Sequence, residues 1–144
     1  HSGGVWDSIR TVAKTEGGKQ VGLSTKEFYI PGSVLRAKVD NTQPLAYGLP
    51  QDVDVFFDRS PTFNLKASAS GVARVSWFDS ATPLRSGWAV GQEKLKGSTA
   101  VLDVDVGKGK LLVMGPEVTQ RAQSYGTFKF LFNGLLYGPA AAKQ

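Results

Sequence analysis

The chain has 144 residues, 41% hydrophobic and 20% charged, a composition that suits one globular domain with its own core. Cysteine is absent, which excludes disulfides, thiolate nucleophiles, iron–sulfur clusters and thiolate zinc sites. The net charge is +5, yet the basic residues are scattered, and the tightest pairs, Lys94/Lys96 and Lys108/Lys110, fall at expected turns, so no nucleic-acid partner is expected.

In chain order, Val5, Ile9, Val12 and Ala13 follow helical spacing, and Gly17-Gly18 is expected to end that short helix. The opening residues lack the basic, apolar, small-residue order of a signal peptide. No apolar run reaches the roughly 20 residues of a membrane-spanning helix, and no membrane partner is expected. Phe28-Tyr29-Ile30 is strand-like up to Pro31-Gly32, and Val34 to Val39 reads as a strand ended by Asp40-Asn41. Gln43 to Pro50 reads as a loop. Val53, Val55 and Phe57 alternate with Asp54, Phe56 and Asp58, a strand with one wetter face. Phe63 and Leu65 are extended, Lys66 to Gly71 is a surface turn, Val72 to Phe78 is a strand, and Pro83 to Gly91 is irregular.

Between Ala100 and Met114 a hairpin is expected. Leu102, Val104 and Val106 point one way and Asp103 and Asp105 the other, which predicts an exposed acidic face. Gly107 to Lys110 turns the chain, and Leu111 to Met114 reads as a strand buried on both faces. Phe128, Leu131, Phe132, Leu135 and Leu136 mark one face of a last helix, capped by Thr127 or Ser124 and ended by Gly138-Pro139, with 139–144 a loose tail. One domain over 1–144 is expected, α/β or α+β with a mixed sheet.

The chemistry is sparse. The only histidine is His1, so a tuned base for nucleophilic catalysis is missing, and a zinc site lacks ligands. No cofactor, metal or catalytic residue is expected. Asp52, Asp54 and Asp58 share one strand face, which suits a hard-cation site, a carboxylate-dependent hydrolase of the glycosidase type, or the solvent side of a half-buried strand; the last reading is preferred. Trp77, Phe78 and Trp88 suit a sugar-stacking platform or the core, with Trp88 the more exposed indole. Arg121, with Gln120 and Gln123, lies between a strand's carboxyl end and the last helix, where ligand crevices of open α/β sheets form; the competing reading is a loop-tying arginine paired with Glu117.

Several segments in order carry a family resemblance: Glu27 to Ser33, Pro44 to Pro50, Ser86-Gly87-Trp88, Val106 to Lys110, Gly115 to Gln123, and Gly126 to Asn133. Over residues 27 to 137 they resemble the C-terminal region of bacterial zinc-carboxypeptidase-like proteins of the carboxypeptidase A superfamily. That region is similar to class I glutamine amidotransferases, a flavodoxin-like fold. The resemblance implies an α/β fold with a mixed, mostly parallel sheet flanked by helices, truncated or reduced at its start. It also implies a periplasmic or secreted parent with an upstream peptidase domain holding the zinc ligands. The amidotransferase cysteine and its His–Glu partners have no match here, so glutamine hydrolysis does not carry over. The expected function is a non-catalytic accessory domain that docks on the peptidase domain or positions substrate, with Arg121, Gln123, Trp88 and Asn133 as ligand or docking candidates. A carbohydrate or cell-wall binding module is the alternative. A truncated sheet would leave an unpaired edge, through which a homodimer is a further expectation.

Overall fold

The computed structural model describes residues 9–11, 13–65 and 69–141. Among them are ten strands: β1 (Ile9–Thr11), β2 (Ala13–Glu16), β3 (Lys19–Gly22), β4 (Ser33–Val39), β5 (Asp52–Phe57), β6 (Phe63–Leu65), β7 (Val72–Trp77), β8 (Leu84–Ser86), β9 (Thr99–Val106) and β10 (Gly109–Met114). One α-helix follows, α1 (Phe128–Ala141).

The expected mostly parallel, helix-flanked sheet is not the fold. Every strand pairing among the described residues is antiparallel: eight strands form a curled sheet of path order β1-β6-β9-β7-β4-β5, with β10 also on β9 and β8 also on β4, and β2 and β3 form a separate two-stranded sheet. The physical reason lies in the connections. A parallel pair needs a long crossover, usually a helix, and among the described residues no α-helix separates consecutive strands. The flavodoxin/amidotransferase-like architecture is therefore set aside.

The start of the chain differs as well. Residues 9–11 and 13–16 form strands rather than a helix, while Val5 and Val12 lie outside the described residues. Gly17-Gly18 joins β2 to β3 instead of ending a helix. Both glycines have positive φ, +54° and +77°, as a two-residue hairpin turn requires.

The inner face of the sheet carries Leu35, Ala37, Val39, Val53, Val55, Phe57, Val75 and Val101, closed by Ile30, Leu45, Leu95 and Phe130. Phe57 and Phe78 meet edge to face at 6.0 Å. β9 is the central strand, buried from Thr99 to Asp103 and at Val104, so the expected exposed acidic face holds for Asp105 but not for Asp103, which is 4% exposed. Val106, expected inside, is exposed. β10, expected to be buried on both faces, is half-buried throughout, because β9 is its only strand partner among the described residues. Segment 28–30 contributes one isolated bridge, Tyr29 to Val90, and the stretch read as irregular contains β8.

The helix runs through Gly138 and Pro139 to Ala141 rather than stopping at them. Pro139 is exposed, as is Leu135, whose carbonyl has lost its helical donor to the proline ring. Thr127 does not cap the helix; its hydroxyl donates to the Val118 and Ser124 carbonyls. On a turn of 3.6 residues, Phe130, Gly134 and Tyr137 share one side of α1, and Phe128, Phe132, Leu135, Leu136 and Pro139 share the other. The first side packs on β10 and on the 3-10 turn Pro44–Ala46. A Cβ at Gly134 would lie 2.8 Å from Leu112 Cδ1 and 3.3 Å from Leu45 Cδ1, so the helix axis sits too close for a larger residue.

Candidate functional site

Strand β5 ends the sheet path, and its alternation splits its side chains. Val53, Val55 and Phe57 enter the core; Asp52, Asp54, Phe56 and Asp58 line the outer face. Antiparallel register sets Arg36 of β4 opposite Asp54 and Lys38 opposite Asp52. Arg36 Nε and Nη2 donate to Asp54 at 2.9 and 3.1 Å, and Lys38 Nζ donates to Asp52 at 2.9 Å. The bond to Asp54 raises the Arg36 pKa further. Asp58 accepts from Gly32 N–H at 3.1 Å and lies 3.6 Å from Arg59 Nε. The acidic row is thus a ladder of cross-strand and local ion pairs, each carboxylate matched by a cation.

After β10 the chain crosses to the far edge of β5, where Glu117 N–H donates to the Phe56 carbonyl at 3.1 Å. Residues 120–126 then form a wall. Between wall and strand lies an open groove of about 920 Å³, which brings Arg121 and Gln123 together with Asp52, Asp54, Phe56 and Asp58. Two separate sequence expectations therefore meet in one place. Arg121 is exposed and makes no hydrogen bond or ion pair among the described residues; the expected pairing with Glu117 is not made. Arg121 and Ala122 both have positive φ, +44° and +53°, an arrangement that costs energy for residues with a Cβ.

The other candidates lie elsewhere. Asn133 Nδ2 donates to the Leu45 carbonyl at 3.1 Å and the Tyr47 carbonyl at 2.9 Å, tying α1 to the 44–48 turn. Lys129 Nζ donates to the Gly48 carbonyl beside it. Trp88 is 68% exposed, and Ser33 Oγ bonds both its N–H and its carbonyl. It does not form a platform with the other two aromatics: Phe78 is fully buried, and Trp77 lies under the Arg74 guanidinium at 4.7 Å. Burial lowers the Arg74 pKa, against the pull of Asp79.

A second surface is the outer face of α1. Phe132, Leu135 and Leu136 are 56%, 63% and 77% exposed. Tyr125, at 78%, stacks edge to face on Phe128 at 5.5 Å, and Phe128 on Phe132 at 6.4 Å, so an aromatic ladder runs from the groove wall along the helix. Tyr125 belongs to both surfaces. It carries no expectation from sequence; its spacing to Phe128 and Phe132 is the signal that marks it. Beyond Leu136 a hollow of about 490 Å³ opens between the helix and Tyr47.

Under the β9–β10 hairpin, Lys110 Nζ lies 2.8 Å from Asp105 and 3.2 Å from the buried Asp103. The bond to Asp105, with those to Asp103 and Tyr137, holds the Lys110 ammonium well above the ordinary lysine range despite burial. The two ion pairs tie β10 to β9, and Lys110 Nζ, 5.7 Å from the centre of the Tyr137 ring, links the hairpin to α1.

Among the described residues no group of three or more histidine or acidic side chains is placed to hold a metal ion, and no helix is long and apolar enough to cross a membrane. No protein-family model, no curated protein and no solved structure matches the chain.

Proposed function

We propose that this chain is a non-catalytic accessory domain that docks on a folded partner through the outer face of α1. The observation that carries the proposal is the unbroken apolar stripe Phe128, Phe132, Leu135, Leu136, Pro139, extended by Tyr125. Contiguous apolar area facing water costs solubility and marks interaction surfaces, whereas single exposed apolar residues do not. Aromatic and leucine anchors at i, i+4 and i+7 are the pattern by which a helix face enters an apolar site. Asp52 and Asp54, the residues a carboxylate hydrolase would need, are instead held by Lys38 and Arg36. That pairing supports a structural role for the acidic row.

The partner follows from the sequence resemblance: the peptidase domain of an exported, periplasmic or secreted, zinc-carboxypeptidase-like protein. The test is a calorimetric titration of this domain with the zinc-peptidase domain encoded by the same gene. Saturable binding supports the proposal. A gene without a zinc-peptidase motif, or a titration without heat or complex, removes that partner.

Trp88 favours a second reading, a carbohydrate or cell-wall binding module, because its indole faces water on a loop pinned by Ser33. A blue shift of tryptophan emission on adding peptidoglycan fragments, abolished in Trp88→Ala, would support it. An unchanged spectrum removes it.

A further inference from the structure

We infer that the hollow between α1 and the turn after β4 binds an uncharged, proline-rich segment in the polyproline II conformation. Pro44 and Tyr47 line one side of it, and Asn133, Leu136 and Tyr137 the other. No charged side chain lines it, although 20% of the chain is charged. A charged group entering the hollow would lose water without gaining a counter-charge, so the occupant is uncharged. The backbone of the turn has little left to offer. The carbonyls of Gln43, Pro44 and Ala46 accept from the Ala46, Tyr47 and Leu49 N–H groups, and those of Leu45 and Tyr47 accept from Asn133. An added β-strand needs free backbone groups, so recognition here falls to side chains. Size excludes a helix as well. An α-helix about 10 Å wide fills about 850 Å³ over two turns. The hollow holds about 490 Å³.

What remains are flat rings and a hydroxyl. Tyr47 is 78% exposed, and its hydroxyl makes no hydrogen bond among the described residues. Polyproline II matches both features. It has no internal hydrogen bonds, so its carbonyls stay free to accept from a tyrosine hydroxyl. Its proline rings pack on aromatic side chains, the mode by which proline-rich segments enter aromatic-lined grooves. Here Tyr47, Tyr137 and Pro44 supply the rings. One turn of such a segment spans about 9 Å, and its fixed φ lowers the entropy lost on binding. Only Leu136 is common to the hollow and the outer face of α1. The inference therefore goes beyond docking by that face and does not depend on it.

The probe is acetylated, amidated octaproline, with a glycine–serine peptide of the same length beside it. Binding is read by amide chemical shifts in the intact chain. The expected result is saturable shifts at Tyr47, Asn133, Leu136 and Tyr137 with octaproline and none with the glycine–serine peptide. Tyr47→Ala should weaken binding by about tenfold or more. Tyr47→Phe keeps the ring and loses the hydroxyl, and should weaken binding by about fivefold. Both variants should otherwise keep the wild-type spectrum, because Tyr47 faces water. An unchanged spectrum at millimolar octaproline overturns the proposal. So do equal shifts with the two peptides, or wild-type affinity in Tyr47→Phe. Shifts at these residues that appear on concentrating the protein alone also overturn it, and assign the hollow to a second copy.

Discussion

Gly134 of α1 lies so near Leu112 of β10 that a Cβ on the glycine would come within 2.8 Å of the leucine methyl. This contact decides which way the helix faces. With Gly134 and Phe130 inward, the face carrying Phe132, Leu135 and Leu136 is left to solvent. Gly134→Val should overpack the contact and lower stability by about 1–3 kcal/mol, read from urea denaturation midpoints. An unchanged midpoint would mean the helix does not sit this close.

Asn133 acts on the same placement through polarity. Its amide satisfies two carbonyls of the 44–48 turn. Asn133→Ala should cost about 1–2 kcal/mol and speed exchange at the Leu49 amide, which bonds to Ala46 in that turn. A ligand role would predict unchanged stability instead.

Lys110 yields a prediction in pH. Its folded pKa is raised, so its contribution is fully present below the unfolded lysine value of about 10.4 and is lost as pH rises through the folded value. Stability from this group should be flat from pH 6 to 9 and fall above about pH 10.4. Lys110→Met strands the 4%-exposed Asp103 carboxylate and should cost about 3 kcal/mol at pH 7. The variant should also lose the alkaline decline that Lys110 causes. Equal alkaline slopes in the two proteins would contradict the pairing.

Much of the sheet is legible in the chain. Alternation marks β5 and β9, branched and aromatic residues mark β4 and β7, and Gly107-Lys108 marks the hairpin between β9 and β10. The direction of pairing is not, because period-2 patterns are alike in parallel and antiparallel strands. Gly17-Gly18 misleads for a related reason, since glycine both ends helices and supplies primed hairpin turns. Asp103 misleads because burial with Lys110 depends on a partner across the hairpin. At the site, the acidic row and Arg121 with Gln123 stand out separately. Their shared groove depends on Glu117 reaching Phe56, a contact between residues 61 positions apart that no local pattern encodes. The apolar helix face is plain in sequence. That it points outward is settled by Gly134, whose small size reads equally well as a weak helix position.

The most direct measurement is the affinity of the Leu135→Asp, Leu136→Asp variant for the peptidase domain proposed above as the partner. Both side chains face water, so the folded monomer should keep its stability within about 0.5 kcal/mol. Burying two uncompensated carboxylates in an apolar interface should weaken binding by about a hundredfold or more. Wild-type affinity in a variant that is folded would contradict the assignment of this helix face as the docking surface.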